Sequence, residues 1–329
     1  MIGPVLVVLD HDRGELDESS LQTITMCAQI GSTAVHVAVV GGAALSATQA
    51  LGIGGIDSIW LIEHESLSDF APEAWGDAVV GLARHLEVRT VVGIGTERGS
   101  EVLAHVAAGF DAPFISNIIA VDRVDPLELT RARWGGSLLE RVAVDFARQE
   151  SSVTVMSAAP FAFATPEALG DTDDRVAIQT FTPELPANAS RTRVKHRITL
   201  LSGITLQTAP VVVSGGRGVG SAEGFAPLEQ LAELLGGAVG CSRVVTNQGW
   251  RPHSDQVGQT GKRVAPDLYI ACGISGAIQH WIGMQAAQRV LAINLDKDAP
   301  MVAKADYAVI GDLHEVIPAI VAELKRRRA

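Results

Sequence analysis

The sequence predicts an α/β protein with two doubly wound domains, each built on a mostly parallel sheet. Short β-branched runs alternate with longer amphipathic segments in both halves of the chain, and the alternation restarts after a proline-containing basic segment. The chain has 329 residues, 47% of them hydrophobic, which is enough apolar material for two domain cores. With this composition the chain is not expected to be disordered.

The first half begins with regular alternation of strands and helices. Its predicted strands comprise residues 4–9, 34–40, 58–62 and 90–94. Its predicted helices comprise residues 17–30 with Asp17 as the cap, 43–51, 72–85 with proline at the start, and 98–109 with glycine at the end. Because parallel strands need crossover connections, this rhythm indicates a parallel sheet covered on both faces.

The rhythm changes after about residue 116. Strand-like runs follow at residues 118–123, 127–133, 153–157 and 177–182, with few helices between them. We expect these runs to be antiparallel additions at the edge of the first sheet. Prolines and a basic cluster mark the next segment as a linker. The predicted division is an N-terminal domain of residues 1–182, a linker of residues 183–207 and a C-terminal domain of residues 208–329.

The second half repeats the alternation and places unusual residues where strands end. Strands are predicted at residues 210–214, 268–272, 290–293 and 307–310, with a further strand ending near residues 245–246. Helices are predicted at residues 226–235, from the 273–276 loop to about 288, and 313–328. Ser214, Asn294 and Asp312 stand at strand ends, and glycine-rich runs follow two of the strands. Ligands of open α/β sheets bind outside the carboxyl ends of strands, so we expect a nucleotide there; tight turns that merely need glycine are the alternative.

The first of these glycine-rich runs departs from the fingerprint of NAD dehydrogenases. It reads Gly216-x-Gly218-x-Gly220, and no acidic residue follows the next strand to hold a ribose hydroxyl. In the first half, residues 96–100 also lie at a strand end, but Glu97 would repel phosphate, which favours a structural loop. The histidines lack metal-binding spacing and no GxSxG elbow is present, so neither a metalloenzyme nor a hydrolase is indicated.

Charge and cysteine content restrict the partners and the compartment. Lys and Arg number 26 and Asp and Glu 37, giving a net charge of −11, so nucleic acid is not an expected partner. Cys27, Cys241 and Cys272 form no CxxC pair and no disulfide framework, which favours a reducing, cytoplasmic setting. The N-terminus lacks a signal-peptide pattern, and the longest uncharged stretch, residues 198–216, is interrupted by polar residues. We read that stretch as two strands and a turn and expect no direct membrane insertion.

Residues 256–294 read QVGQTGKRVAPDLYIACGISGAIQHWIGMQAAQRVLAIN. This stretch, above all its core LYIACGISGAIQHWIG, resembles the electron transfer flavoprotein α subunit, also called the ETF-α or FixB family. Residues 211–225, VVVSGGRGVGSAEGF, are similar to the start of that family's flavin-binding domain, and residues 296–313, DKDAPMVAKADYAVIGDL, to its end. The specific resemblance covers roughly residues 210–329, whereas the N-terminal half is similar in length and strand rhythm.

The resemblance implies FAD bound by the C-terminal, Rossmann-like domain, at an interface with a β subunit. In this family, Ser242 would serve the phosphates, Arg243 the flavin ring, and the VGQT loop would lie beside the isoalloxazine. A phosphate turn and a histidine near the flavin C2 carbonyl would come from residues 275–280. The residues assigned to the cofactor are Arg217, Ser242, Arg243, Val257, Gly258, Gln259, Thr260, Ser275, Gly276, Ala277, Ile278, Gln279, His280, Asn294, Asp312 and Leu313, the last three at the adenosine end.

The residue types agree with flavin chemistry. A flavin that accepts an electron without a proton gains negative charge around N1 and the C2 carbonyl, which a donor or a cation stabilises. His280 and Arg243 are suitable groups there, and Thr260 could donate to N5. The segment 246–253 differs from the form common in the family and is expected to influence the flavin potential or the choice of partner.

The function implied is that of an electron carrier in a heterodimer. It would take electrons from a flavin dehydrogenase, such as an acyl-CoA dehydrogenase of fatty acid β-oxidation, and pass them to a membrane quinone oxidoreductase. The β subunit would hold AMP or a second FAD. Three alternatives stay open: an electron-bifurcating NADH-dependent complex, a stand-alone NAD-binding oxidoreductase, and a scaffold that has lost its cofactor. No catalytic acid, base or nucleophile is expected in a carrier, because no substrate bond is broken.

Overall fold

The chain forms two compact units in a computed structural model that describes residues 2–41, 54–134, 138–146, 153–166, 176–186, 188–189, 191–195 and 204–328. The first unit lies within residues 2–195 and the second within residues 204–328. The division falls inside the predicted 183–207 linker, whose bounds stay a prediction. Leu185 and Ala189 of that segment pack against the core of the first unit. The predicted helix at 43–51 lies outside the described residues.

The first unit is built on one large sheet. Its strands are β1 Val5–Val8, β2 His11–Asp12, β3 Glu15–Leu16, β4 Val35–Val40, β5 Ser58–Ile62, β6 Thr90–Ile94, β7 Phe114–Arg123, β8 Leu127–Arg133, β9 Leu138–Val144, β10 Thr154–Ala158 and β11 Ile178–Phe181. The order of the described strands in the sheet is β11-β5-β4-β1-β6-β10-β7-β8-β9, with β2 and β3 forming a separate hairpin. Neighbours from β11 to β7 are parallel, and β7, β8 and β9 pair antiparallel.

Helices cover both faces of the parallel part of this sheet. They are α1 Gln22–Gln29, α2 Pro72–His85 and α3 Glu97–Gly109. Ile24 and Met26 of α1 join the core on one face, where alternate residues of β1 and β4 meet them. Trp75 of α2 and Leu103 of α3 join the core on the other face. Since both faces are buried, the central strands β1 and β4 consist of apolar, mostly β-branched residues, with His36 as the one polar residue.

Four features of the first unit differ from the expectations. β10 was expected to be an antiparallel edge strand, but it is parallel and lies in the interior between β6 and β7. β11 is also parallel and pairs with β5 at the opposite edge, and β9, which was not expected, pairs with β8. The helix expected at 17–30 is shorter, because Asp17 caps a single 3₁₀ turn, Glu18–Leu21, before α1 begins. Because β10 is a short, fully buried run, its sequence does not indicate whether its neighbouring strands run parallel or antiparallel to it.

The second unit is a five-stranded, fully parallel sheet with helices on both faces. Its elements are β12 Val211–Gly215, α4 Ala226–Leu234, β13 Ala238–Cys241, α5 Arg243–Asn247, β14 Leu268–Cys272, α6 Ile278–Met284, β15 Arg289–Asn294, α7 Pro300–Lys304, β16 Tyr307–Ile310 and α8 Leu313–Arg328. The strand order is β13-β12-β14-β15-β16. Helices α4 and α8 pack on one face, while Met284 and Met301 bring α6 and α7 onto the other. Both units are therefore doubly wound, as the sequence predicts.

Local differences also occur in the second unit. The strand expected to end near residues 245–246 ends at Cys241, and residues 245–246 lie in α5. Helix α6 ends at Met284 instead of near residue 288. Of the stretch 198–216, residues 198–203 lie outside the described part of the chain. Residues 204–216 contain a turn at 206–208 and one strand, β12. Among the described residues, no helix is long and apolar enough to cross a bilayer.

Candidate cofactor site in the second unit

The carboxyl ends of the five parallel strands in the second unit meet at one edge of the sheet. The pairing register places Gly215 between Cys241 and Cys272, and Asn294 beside Ile310. The sheet order reverses direction at β12, because β13 lies on one side of it and β14 on the other. Such a switch point is where open α/β sheets form a ligand crevice. The candidate residues that directly follow β12, β13, β14 and β15 are therefore gathered along one edge.

The loops after β12 and β14 touch backbone to backbone at the switch point. Gly216 N–H donates to the carbonyl of Cys272 and Gly218 N–H to that of Gly273. A Cβ on Gly216 would lie 2.3 Å from the carbonyl oxygen of Gly273, and Gly273 itself has φ +62. Glycine is required here for this close approach. Leu313 lies against the same junction, since its side chain is 2.9 Å from where a Cβ on Gly273 would stand.

The VGQT loop lies directly against the start of α6. Gln259 N–H donates to the carbonyl of Gln279 at 2.7 Å. Gly258 has φ +148, and a Cβ on Gly283 of α6 would lie 2.3 Å from the Gly258 nitrogen. Val257 N–H donates to the carbonyl of Cys241, which ties the loop to the end of β13. The structure thus brings together the two segments that the sequence resemblance assigned to the flavin ring.

Gln256 organises this loop, although it was not among the cofactor-binding residues expected from the sequence. Its side chain is buried, with 1% exposure. Its amide nitrogen donates to Thr260 Oγ1 at 2.9 Å, and its amide oxygen accepts from Thr246 Oγ1 at 2.8 Å. Gln256 therefore links α5 to the VGQT loop. The hydroxyl oxygen of Thr260 accepts the hydrogen bond from Gln256, so the Thr260 hydroxyl proton is not used by this contact. Its position directly before the VGQT residues was the sequence signal that could have identified Gln256 as part of the site.

His280 is buried beneath the loop and is uncharged. Its side chain is 7% exposed, and Nε2 lies 2.9 Å from the hydroxyl of the buried Tyr269. Burial lowers the pKa of His280 to about 4, and the backbone of Val257 opposes that decrease only in part. A donor or a cation was expected at this position from the sequence. Because it is uncharged, His280 can act only as a neutral donor, which leaves Arg243 as the cationic candidate.

The turn after β14 is tied to α7. The backbone carbonyl of Ser275 accepts from Met301 N–H at 3.1 Å. A Cβ on Gly276, which has φ +85, would lie 2.3 Å from the Met301 nitrogen. Ala277 then stands at the N-cap of α6, and Ile278 is 52% exposed. The exposed side of this turn presents Ser275 and its neighbours to solvent.

The residues assigned to the adenosine end make structural contacts of their own. The amide nitrogen of Asn294 donates to the carbonyl of Ile274 at 3.0 Å, and its amide oxygen accepts from Asp296 N–H at 3.1 Å. The carboxylate of Asp312 accepts from His314 N–H at the start of α8. Asn294 and Asp312 therefore shape the two loops at this end of the edge, and each keeps further hydrogen-bonding capacity.

Donors without protein partners also lie on these loops. In the described part of the chain, no hydrogen bond or ion pair is made by the side chains of the exposed Arg217, Arg243, Gln259 and Ser275, or by that of the half-buried Ser242. Two unpaired guanidinium groups and neutral donors complement a pyrophosphate and the carbonyls of a flavin ring. The residues present therefore fit FAD, with Arg217 and Arg243 as the charged contacts and residues 257–260 and 275–280 as its flanking loops.

The segment 246–253, which departs from the family's common form, is anchored within the unit. Arg251 pairs with Glu229 of α4 and with Asp255 at 2.8 Å. Its guanidinium also lies 5.5 Å from the centre of the Phe225 ring. Trp250 packs against the core below α4 and α8. These contacts give the segment a structural role at the base of the VGQT loop.

The corresponding loop of the first unit is occupied by its own side chains. Thr96 caps α3 and donates to the buried Asp10 at 2.8 Å. Arg98 reaches Asp10 and Asp12, and its guanidinium lies 4.3 Å from the centre of the Phe70 ring. A cavity of about 270 Å³ remains beside these groups. Thr96 and Arg98 are committed to contacts within the unit, in agreement with the interpretation of residues 96–100 as a structural loop.

Comparison with protein-family models matches both parts of the chain. Residues 205–285 match the electron transfer flavoprotein FAD-binding domain. Residues 5–184, more than half of the chain, match the electron transfer flavoprotein domain. The first match includes the glycine-rich loop, the VGQT loop and α6, so it coincides with most of the candidate site and points to flavin binding.

Curated relatives match along their whole length. The electron transfer flavoprotein subunit alpha of Mycobacterium tuberculosis (strain ATCC 25618 / H37Rv) is 35% identical over 327 residues, covering 98% of this chain and 99% of the relative. The protein of the same description from Clostridium acetobutylicum is 34% identical, with coverage of 98% and 96%. Protein FixB of Clostridium saccharobutylicum is 33% identical, with the same coverage. The chain belongs to the family of electron transfer flavoprotein α subunits.

Proposed function

We propose that this chain forms a heterodimer with an electron transfer flavoprotein β subunit, binds FAD in its second unit and carries electrons between flavoenzymes. The donors would be flavin dehydrogenases such as acyl-CoA dehydrogenases of fatty acid β-oxidation, and the acceptor a membrane quinone oxidoreductase. The observation that carries the proposal is the pair of exposed, unpaired guanidinium groups, Arg217 and Arg243, on loops at the carboxyl edge of a parallel sheet.

Each part of the site has a task in this proposal. Arg217 and Ser275 neutralise and hold the pyrophosphate, and Asn294, Asp312 and Leu313 shape the adenosine end. The loop of residues 257–260 and the start of α6 hold the ring and exclude water from it. Arg243 supplies positive charge where electron density accumulates, and His280 remains neutral. Bound FAD would supply the capacity to take up and release electrons singly.

The first unit offers a surface for the β subunit. Large apolar side chains are exposed around the junction of β8 and β9, with Trp134 82% and Leu139 62% exposed. The β subunit, which would hold AMP or a second FAD, would cover this region as the partner of the heterodimer. The three cysteines are unpaired and buried, which is compatible with the reducing cytoplasm as the setting.

The test is cofactor analysis of the chain co-purified with its β subunit. The complex would be examined by visible absorption, then denatured, and the released cofactor identified and counted. About one FAD per heterodimer supports the carrier function. A second FAD would favour an electron-bifurcating complex, and NADH oxidation by the chain alone would favour a stand-alone oxidoreductase. A folded, colourless complex that takes up no added FAD would contradict the proposal and leave a scaffold.

A further inference from the structure

A buried pair of polar side chains lies under the candidate flavin loop. Tyr269 of β14 is fully buried, and its hydroxyl oxygen lies 2.9 Å from Nε2 of His280, which is 7% exposed. The two rings meet edge to face with centroids 6.1 Å apart. The contact is therefore a specific hydrogen bond in a water-poor environment, where the position of its proton matters.

Burial keeps both partners uncharged, so the bond joins a phenol to a neutral imidazole. Desolvation raises the pKa of Tyr269 far above its ordinary value of 10 and lowers that of His280 to about 4. A neutral imidazole carries one N–H, on either Nδ1 or Nε2. The phenol O–H can donate to Nε2 only if the imidazole proton is on Nδ1.

The surroundings of the ring decide between these two tautomers. The backbone of Val257 faces the imidazole and raises its pKa, as a carbonyl does when it faces a ring N–H. Since Tyr269 occupies Nε2, this backbone lies on the Nδ1 side. Nδ1 makes no hydrogen bond of normal geometry with any described residue, although it is buried. Val257 is the first residue of the VGQT loop, so the Nδ1 side of the ring faces the backbone of that loop.

We propose that Tyr269 is a positioning residue: its hydroxyl donates to Nε2 of His280, holds that ring in the neutral Nδ1–H tautomer, and directs the N–H toward the loop of residues 257–260. The part of this inference that concerns the flavin rests on the proposed function. The tautomer itself is a property of this chain. Through it, a residue in the strand interior would set the donor that His280 directs at the loop beside the flavin.

The first test determines directly which ring nitrogen of His280 carries the proton. The heterodimer would be prepared with ¹⁵N-labelled histidine, and ¹H–¹⁵N correlations would be recorded at neutral pH, with His280 assigned by its loss in His280→Gln. We expect a protonated Nδ1 and an unprotonated Nε2 in the parent protein, and loss or reversal of this pattern in Tyr269→Phe. A protonated Nε2 in the parent, or an unchanged pattern in Tyr269→Phe, overturns the proposal. The parent result decides even where Tyr269→Phe fails to fold.

A control variant separates this role from the general effect of losing a tyrosine hydroxyl. Tyr307→Phe changes the other tyrosine of the chain, which is 61% exposed on β16. It should keep the parental pattern of His280. Ser214→Ala would not serve as a control, because the Ser214 side chain acts on the Tyr269 hydroxyl and opposes the rise in the pKa of Tyr269. Loss of the pattern in Tyr307→Phe would overturn the assignment to Tyr269.

The second test connects the tautomer to the flavin. In the FAD-loaded heterodimer, Tyr269→Phe should lower the midpoint potential, with the relative affinity for reduced over oxidised flavin falling up to about tenfold, or ~59 mV for one electron. Tyr307→Phe should leave the potential unchanged. An unchanged potential in Tyr269→Phe would overturn the claim that this tautomer influences the flavin through the loop of residues 257–260. A parent heterodimer that binds no FAD would contradict the proposed function instead, and the histidine spectra would still decide the tautomer.

Discussion

Two side chains proposed for the flavin ring, His280 and Arg243, differ in their environment. His280 is enclosed with Tyr269 and has lost its charge, because burial lowers its pKa to about 4. Arg243 is exposed at the first position of α5, with its guanidinium in solvent. The neutral donor His280 is held in place by Tyr269, so its effect on a bound flavin would depend on geometry. The solvated cation Arg243 would act through its charge.

The buried imidazole should make stability depend on pH. Because the folded-state pKa lies below the ordinary value of 6.5, the unfolded chain binds the proton more tightly between those two values. The contribution is present above about pH 6.5 and is lost as the pH falls toward about 4. From about pH 7.5 to about pH 5.5 we expect the free energy of unfolding to fall by about 1 kcal/mol from this residue.

Urea unfolding of the parent and of His280→Gln at both pH values measures this contribution. Glutamine does not titrate, so the stability of the variant should change less with pH by that amount. Equal pH dependence in the two proteins would show that His280 does not remain neutral in the folded chain.

Replacing Arg243 should alter the electronic environment of the flavin. In Arg243→Ala the cation near the ring is lost, so reduced flavin is less stabilised and the midpoint potential should fall. Spectroelectrochemical titration of the FAD-loaded heterodimer measures it. Arg289→Ala is the matched control, because Arg289 begins β15 at the opposite edge of the sheet. A potential that falls equally in both variants, or in neither, would remove Arg243 from this role.

At the scale of elements, the site depends on how closely the loops after β12 and β14 approach. Gly216→Ala should force the two loops apart, because the new Cβ would lie 2.3 Å from a backbone oxygen that cannot rotate away. We expect a loss of about 2–3 kcal/mol in stability of the second unit, together with weaker FAD binding. Chemical unfolding and FAD titration measure the two effects.

Gly220→Ala provides the comparison for that substitution. It lies on the same loop with φ +85, and no heavy atom lies within 4 Å of the added Cβ. Its cost should be about 1 kcal/mol, from the left-handed backbone alone. A Gly216→Ala protein as stable as Gly220→Ala would contradict the packed-loop geometry.

In the first unit, Arg98 links α3 to the end of β1 and to the β2–β3 hairpin. Its guanidinium is the cation beside Asp10, whose side chain is 11% exposed and whose pKa is raised by burial. Arg98→Ala leaves that carboxylate with its Thr96 bond and should cost about 2–3 kcal/mol in denaturant unfolding. Arg13→Ala removes an exposed pair with Asp12 and should cost less than about 0.5 kcal/mol. Similar losses in both variants would mean that the Asp10 contact is not stabilising.

At the scale of the whole molecule, the two units share an architecture but differ at their strand ends. Comparable loops carry unpaired donors in the second unit and internally paired charges in the first. FAD should therefore protect one unit and not the other. In hydrogen exchange of the heterodimer with and without FAD, we expect slower exchange in peptides covering residues 216–220, 256–262 and 275–281. Unchanged exchange there, with protection at residues 96–100, would move the site to the first unit.

The fold was predictable for those elements whose local hydrophobic periodicity defines both their type and their ends. The elements β12, β14 and α8 were expected at almost the bounds found, because each is a clear periodic run with a glycine or polar residue at its end. The position of β10 was not predictable, since its partners β6 and β7 come from separate parts of the chain. The end of β13 was misplaced because the valines of α5 continue its β-branched pattern past Ser242.

By itself the sequence determined the family, the two alternating halves and the segments of the candidate site, because those are properties of contiguous residues. Tertiary structure alone decided the role and charge of individual side chains. Thr96 meets Asp10 across 86 residues, and Tyr269 meets His280 across 11. Burial and hydrogen bonding set the pKa of His280 and commit Arg98 to the first unit, and both arise only when the chain folds. Periodicity indicates the face of an element on which a residue lies, but it does not indicate which distant group will contact the residue there.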